Sequence, residues 1–147
     1  MKVFISSKLP CDADRAFALV KKSSTLVHVA WPMAKIVPSR NSFPEQWVQG
    51  KKVYCKSYLF GIVPVGERSI YFERIDPHKR EIQTRENDPL VQKWDHLISI
   101  KPIDSSSCIY ADEIDIKAGL ITFVVWMWAM CFYKHRQSRW LKLLEED

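Results

Sequence analysis

The C-terminal segment limits the folds open to this chain more than any other feature. Residues 118–133 contain no charged side chain, and the chain continues to Leu144 with apolar and basic residues at helical spacing. A membrane-spanning helix needs about 20 consecutive apolar residues. This apolar segment is shorter, and the helical pattern runs past it. We therefore expect one long helix over Leu120–Leu144 with its first half buried, a membrane span or a partner-binding side being the alternatives.

Ahead of this helix, apolar and polar residues alternate with a period of two, which is typical of antiparallel strands. The pattern predicts strands over residues 51–60, 68–75, 81–86, 92–101 and 108–117. The proline in Asp76–Lys79 favours a tight turn between two of these strands. The polar run Asp104–Ser107 predicts the connection of the last hairpin.

The N-terminal part begins with a predicted strand over Val3–Leu9, which two short helices follow. Asp12 is a good N-cap for a helix over Ala13–Lys22, because its carboxylate can accept backbone N–H groups. A second helix is predicted over Ser24–Ala30, and Pro32 ends it.

This order of elements predicts an α+β fold, in which a curved antiparallel sheet grips the long C-terminal helix. The length suits a single domain over residues 1–147. The chain contains 6 tryptophans, 5 tyrosines and 7 phenylalanines, and such large side chains need a big core or a cavity to line. A hollow between sheet and helix is a common ligand site.

Composition excludes several classes of protein. Only 4 glycines are present, and neither a Rossmann fingerprint nor a P-loop occurs. The net charge of +5 comes from scattered lysines and arginines, which favours solvated faces over nucleic-acid binding. The N-terminus turns polar at once and lacks the apolar run of a signal peptide, so we expect a cytoplasmic protein.

The cysteines and histidines do not predict a metal or cofactor site. Cys11, Cys55, Cys108 and Cys131 are far apart and form no C-x-x-C pair, so we expect small buried apolar residues in a reducing compartment. The 4 histidines lie on separate predicted elements without the spacing of a zinc site. No metal and no cofactor are expected.

Several segments of the sequence, in order, resemble the START-like superfamily. They are FISSKLPCDADRAFALV at 4–20, FGIVPVG at 60–66, DPLVQKWDH at 88–96 and YADEIDI at 110–116. The nearest likeness is to small bacterial members labelled SRPBCC or cyclase/dehydrase. The resemblance implies the helix-grip fold of polyketide cyclases, pollen-allergen-like proteins and lipid-transfer domains, with a cavity for a ligand. It implies no single activity, because carriers, cyclases, hydrolases and regulators share this frame.

His96 and Asp112 form the most specific candidate site. On the predicted hairpin strands both residues fall on the apolar face, which should point inward. A turn centred on residue 104 places His96 directly opposite Asp112, and a turn centred on residue 105 makes them diagonal neighbours on the same face. Either register brings an imidazole and a carboxylate within reach of each other.

Two interpretations of this pair remain open. A carboxylate can fix the tautomer of a histidine and raise its basicity, and Tyr110 can supply a donor to a developing enolate. His96, Asp112 and Tyr110 would then be the catalytic residues of a cyclase/aromatase-like enzyme. Alternatively, Asp112 merely satisfies a buried His96 and holds the hairpin in register.

The function predicted first is binding of a small hydrophobic or amphipathic ligand, lipid- or polyketide-like, between the sheet and the C-terminal helix. Aromatic and thioether side chains adapt to irregular apolar ligands. The predicted ligand-binding residues are Trp31, Trp94, Ile98, Phe123, Trp126, Met127 and Met130, with Trp47 as a further candidate. The alternative is that these side chains simply fill the interior.

The first turns of the last helix are apolar on more than one side. One side carries Leu120, Phe123, Val124 and Met127, and another carries Val125, Trp128 and Phe132. Because a helix packed on one sheet face should have a polar outer side, we expect the outer side to meet a second copy of the chain. Contact with an anionic membrane surface is the alternative, through the basic cluster Lys134, His135, Arg136 and Arg139.

Overall fold

The structure, a computed structural model, describes residues 1–146. A seven-stranded antiparallel sheet curls around a 25-residue C-terminal helix, and two short helices follow the first strand. The strands are β1 Lys2–Leu9, β2 Ala34–Pro38, β3 Lys52–Leu59, β4 Val63–Asp76, β5 Glu81–Asn87, β6 Lys93–Asp104 and β7 Ser107–Lys117. The helices are α1 Ala13–Val20, α2 Ser23–Ala30 and α3 Thr122–Glu146, the last preceded by a 3-10 turn at Gly119–Ile121. The predicted α+β helix-grip architecture is confirmed.

Neighbouring strands are all antiparallel, in the order β1-β7-β6-β5-β4-β3-β2. From β2 to β7 the strands follow one another across the sheet, and β1 forms the opposite edge by pairing with β7. Alternate residues of β6 are buried, namely Trp94, His96, Ile98 and Ile100, because successive side chains point to opposite faces. This inward face and the buried side of α3 enclose the interior.

The start of α1 lies where the sequence predicts it. The carboxylate of Asp12 accepts the backbone N–H of Arg15 at 2.9 Å, which caps the helix. α1 ends at Val20, earlier than the sequence pattern predicts. The backbone N–H of Trp47 donates to the carbonyl of Lys21 at 2.8 Å, so pairing with the segment before β3 takes the place of a further helical turn.

The edge strand β2 is absent from the sequence prediction. It pairs with β3 over only five residues. A run this short, with Pro32 ahead of it and Pro38 at its end, shows no clear period of two. β4 also begins earlier than predicted, at Val63, because its first residues pair back with Leu59 directly after the turn.

α3 buries one continuous stripe against the sheet. Spacings of three and four residues place the buried side chains on one side: Ala129, Phe132, Tyr133, Arg136, Gln137, Trp140 and Leu144. Gln137 fastens the helix to β1, because its side-chain amide donates to the carbonyl of Ile5 at 2.7 Å. No helix within residues 1–146 is both long and apolar enough to cross a membrane.

The expectation that the first half of the last helix is buried is wrong, because no residue of α3 before Ala129 is buried. The outer side of these turns exposes apolar side chains. Phe123 is 57% exposed, Val124 66% and Met127 51%. Val125 and Trp128, on the other side, pack against the core. The first turns of the helix therefore present an apolar surface that the described chain does not cover.

Arg136 and Cys131 lie where the sequence analysis does not expect them. Arg136 is only 7% exposed, so it is not part of a basic surface cluster with Lys134. It lies one turn after Phe132 and one turn before Trp140, and both of these face inward. Cys131 is exposed whereas the other cysteines are buried, because it lies outside the buried stripe of α3.

Self-association through the outer side of α3 stays a prediction. If this side pairs with a second copy, sedimentation equilibrium at high micromolar concentration gives a dimer. Val124→Glu then gives a monomer, because a carboxylate would be buried at the contact. Leu141→Glu, at another exposed apolar position of α3, is the matched control. A monodisperse wild-type monomer at that concentration, without detergent, contradicts the prediction.

Candidate functional site

Two adjacent cavities lie between the sheet and α3. Cavity A has a volume of about 50 Å³ and is lined by Val20, Thr25, Leu26, Trp47, Ile70, Phe72, Ile82, Thr84, Glu86, His96, Ile98, Arg136 and Trp140. Cavity B has a volume of about 90 Å³ and is lined by Leu26, Ala34, Ile36, Cys55, Ser57, Leu59, Val65, Arg68, Ile70, Glu86, Trp94, Trp128, Phe132, Tyr133 and Arg136. The linings share Leu26, Ile70, Glu86 and Arg136, so these four side chains form the wall between the cavities.

His96 and Asp112 meet as the sequence analysis expects. The register between β6 and β7 places His96 opposite Ile114 and Asp112 opposite Ile98. His96 and Asp112 are therefore diagonal neighbours, which is the arrangement of a turn centred on residue 105. The Nε2 atom of His96 lies 2.6 Å from Oδ1 of Asp112.

Asp112 is a fully buried carboxylate with several donors around it. Besides His96, the side-chain amide of Gln137 donates to Oδ2 at 3.0 Å, and the hydroxyl of Tyr110 donates to Oδ1 at 3.3 Å. Burial by itself would raise the pKa of Asp112. The hydrogen bond and charge of His96, followed by the charge of Arg136, outweigh burial and lower that pKa. Asp112 therefore stays ionised inside the protein.

A second carboxylate faces the other ring nitrogen of His96. Oε2 of Glu86 lies 3.8 Å from Nδ1 of His96 and accepts from the hydroxyl of Thr84 at 2.7 Å. Nε of Arg68 donates to Oε1 of Glu86 at 3.1 Å. Burial would raise the pKa of Glu86, but its bonds to His96 and the charge of Arg68 lower it to about 2.

The two carboxylates keep His96 charged. Burial by itself would lower the pKa of His96, yet the hydrogen bond to Asp112 and then the interaction with Glu86 raise it above its ordinary value. A larger fraction of His96 is therefore protonated at neutral pH than of an exposed histidine. Because both ring nitrogens face carboxylates, the protonated form of His96 places a positive charge beside cavity A.

Arg68 extends the charged cluster toward cavity B. Its Nη1 atom donates to Oδ2 of Asp88 at 2.6 Å, and its guanidinium lies 4.5 Å from the ring centroid of Trp94. The indole N–H of Trp94 donates to the hydroxyl of Tyr133 at 3.0 Å, which fixes the ring that supports the guanidinium. Arg68 is thus paired with carboxylates on two sides.

The remaining predicted site residues divide between the cavities and the surface. Trp94 lines cavity B, while Ile98 and Trp47 line cavity A. Tyr110 and Asp112 are fully buried but belong to neither lining, because they lie behind His96 as its hydrogen-bonding support.

The other predicted ligand-binding residues are placed away from both cavities. Phe123 and Met127 lie on the exposed outer side of α3, and Trp31 is 47% exposed. Trp126 and Met130 are half-buried, and the indole N–H of Trp126 donates to the backbone carbonyl of Lys2. The helical period explains this division, since it turns these α3 side chains away from the stripe that faces the sheet.

Glu86, Arg68 and Arg136 are the site residues that the sequence analysis misses. Each is a charged residue in phase with a buried apolar face: Glu86 follows Ile82 at a period of two, and Arg68 precedes Ile70 in the same way. Arg136 lies at helical spacing within the buried stripe of α3. All of them could be identified from the sequence as charged residues at positions where the periodic pattern predicts a buried apolar side chain.

Within residues 1–146, no group of three or more His, Cys, Asp or Glu side chains is arranged to hold a metal ion. In the cluster of His96, Glu86 and Asp112, the imidazole lies between the carboxylates, hydrogen-bonded to Asp112 and 3.8 Å from Glu86. The two carboxylates are therefore directed at the histidine and not at a shared position that a metal ion could occupy.

The chain has the START-like helix-grip fold. A START superfamily protein from Mycobacterium smegmatis aligns with 99% of this chain and 97% of its own, with a TM-score of 0.68 and 13% identity. Norcoclaurine synthase from Thalictrum flavum aligns over 99% of this chain and 87% of its own, with a TM-score of 0.71 and 12% identity. The di-domain ARO/CYC protein BexL of the BE-7585A biosynthetic pathway aligns over 99% of this chain, which spans 46% of BexL, with a TM-score of 0.73 and 12% identity. No protein-family model and no curated protein matches the sequence.

The ion pairs of His96 make the stability of the fold depend on pH. Because the folded-state pKa of His96 is raised, its contribution is fully present below the ordinary value of about 6.5 and is lost as pH rises through the folded-state pKa. We expect Tm to fall as pH rises above about 6.5, and to fall less steeply in His96→Gln. Thermal scans across that range test this, and equal slopes in the two proteins contradict it.

Proposed function

We propose that the protein binds a small apolar or amphipathic molecule between the sheet and α3. The observation that carries this proposal is the pair of apolar cavities whose shared wall contains a buried glutamate and a buried arginine. Apolar walls with a few fixed polar groups are the usual composition of a ligand site. Glu86 and Arg136 each touch both cavities, so one ligand polar group at this wall can be oriented from either side.

The volumes favour a compact ligand over a long acyl chain. At about 50 and 90 Å³, both cavities are well below the roughly 300–1,000 Å³ of a typical ligand pocket. A ligand that occupies both must displace part of the shared wall. Leu26 of α2 is the half-buried apolar member of that wall and is the natural side chain to move.

A cyclase/aromatase-like enzyme is the alternative that the fold suggests. The charge state of the cluster favours binding over proton transfer. A carboxylate with a pKa of about 2, as in Glu86, is a weak base, and Asp112, whose pKa is also lowered, belongs to neither cavity lining. The hydroxyl of Tyr110 bonds to Asp112 and is not part of either cavity lining.

The tryptophans provide a direct test of binding. Trp47 and Trp140 line cavity A, and Trp94 and Trp128 line cavity B, whereas Trp31 and Trp126 line neither. In ¹⁵N-labelled protein titrated with ethylbenzene, we expect the indole N–H signals of the lining tryptophans to shift and those of Trp31 and Trp126 to stay. Norcoclaurine synthase, a fold neighbour, is known in complex with dopamine and hydroxybenzaldehyde, which supports the choice of an aromatic probe. No shift up to the solubility limit, or equal shifts of every indole, refutes the proposal.

Leu26→Ala tests whether the two cavities act as one pocket. Removing this part of the shared wall joins the cavities, so ethylbenzene should bind several-fold more tightly in the same titration. Val27→Ala removes apolar atoms from an exposed neighbour on α2 and is the matched control. An affinity for ethylbenzene that is equal or weaker in Leu26→Ala shows that the wall does not limit binding.

A further inference from the structure

Arg136 is a buried cation that faces both cavities. It lies on α3 and is only 7% exposed. Its guanidinium lies 5.0 Å from the ring centroid of Tyr133 and 5.8 Å from that of Phe132, so aromatic faces support it from one side. Its presence in both linings places it at the centre of the combined pocket.

The hydrogen-bonding capacity of Arg136 is unused. In the described chain, residues 1–146, Arg136 forms no hydrogen bond and no ion pair, and its Nε atom is buried without a partner. Arg68, the other buried arginine of the site, is bonded to both Glu86 and Asp88. A guanidinium has five N–H donors, and burying even the one on Nε without an acceptor is costly. The contrast shows that the neighbouring carboxylates are committed elsewhere.

The charges around the pocket favour a neutral acceptor as the missing partner. The carboxylates of this cluster are the fully buried Asp112 and the partly buried Glu86 and Asp88, and the cations are Arg68, Arg136 and protonated His96. Cations and carboxylates are therefore equal in number when His96 is protonated, and the carboxylates exceed the cations when it is not. An anionic ligand would add uncompensated negative charge to a buried site, whereas a carbonyl oxygen adds none.

We propose that Arg136 donates hydrogen bonds to a carbonyl oxygen of the bound molecule, so that the ligand is an uncharged aromatic or alicyclic ketone or a close analogue. The inference rests on the proposed function of the pocket and identifies its ligand class. The apolar walls of the cavities hold the body of the ligand, and the guanidinium at the shared wall fixes its one polar end. The hydrogen bond from Arg136 to the carbonyl oxygen also sets the orientation of the ligand in the pocket.

Matched probes isolate the carbonyl group. Acetophenone and ethylbenzene share one carbon skeleton, and acetophenone has a carbonyl group where ethylbenzene has a CH2 group. We expect Arg136→Met to weaken acetophenone binding about tenfold and to leave ethylbenzene within twofold, because only the ketone loses a hydrogen bond. Lys134→Met, which removes a cation from the exposed side of α3, is the control and should change neither affinity. Equal losses for both probes, or no loss for acetophenone, overturn the inference.

Two further measurements keep the inference testable if Arg136→Met folds poorly. Arg136→Gln retains an N–H donor without the charge, so it should keep part of the affinity for acetophenone. In infrared spectra, the carbonyl stretch of bound acetophenone should lie at lower wavenumber in the wild type than in Arg136→Gln, since a charged donor polarises the bond more. An identical stretch in the two proteins overturns the assignment of Arg136.

Benzoate distinguishes a carbonyl site from an anion site. The charge balance predicts that benzoate binds the wild-type protein more weakly than acetophenone, and tighter binding of benzoate overturns the inference. If ethylbenzene binds but Arg136→Met changes the affinities for acetophenone and ethylbenzene equally, the inferred ligand class is wrong and the proposed binding function is retained. If neither neutral probe binds, the proposed function fails and the inference fails with it.

Discussion

The interior of this protein is organised around one fully buried carboxylate. Asp112 comes from β7, and its hydrogen bonds to His96 and Gln137 reach β6 and α3. Gln137 in turn donates to the carbonyl of Ile5 and accepts from the hydroxyl of Ser7, both on β1. Removing a partner from a buried ion pair leaves an uncompensated charge, which costs several kcal/mol. The position of the long helix over the sheet therefore depends on this carboxylate being satisfied.

From Asp112 a line of alternating charges crosses the sheet. Asp112, His96, Glu86, Arg68 and Asp88 lie on β7, β6, β5, β4 and the loop after β5, and each contacts the next. Every member has an opposite charge beside it, which lowers the pKa values of Asp112 and Glu86 and raises that of His96. Asp112 and Glu86 stay ionised at neutral pH, and their lowered pKa values make them weak bases. They suit a fixed electrostatic environment for a ligand better than a general base.

Sequence patterns predict the parts of this site that obey a simple period. In an antiparallel hairpin, a short turn determines which residues lie opposite each other, so the sequence predicts that His96 lies near Asp112. Of the two predicted registers, the structure has the one in which they are diagonal neighbours. Apolar periodicity does not identify Glu86 and Arg136, because they are charged residues at positions where the pattern expects apolar side chains. Phe123 represents the opposite error, an apolar residue that the helical period alone does not assign to the core or to the surface.

Arg136 shows why such residues are informative once the fold is known. A methionine or leucine at its position would continue the apolar stripe of α3 and would carry no desolvation cost. The line of charges already satisfies its own members, so Arg136 is not needed to complete any of their hydrogen bonds within residues 1–146. Its side chain instead lines both of the cavities that the apolar walls enclose. The charges of Asp112 and Glu86 stabilise its guanidinium, but its Nε–H has no acceptor within residues 1–146, and the proposed occupant of the pocket supplies one.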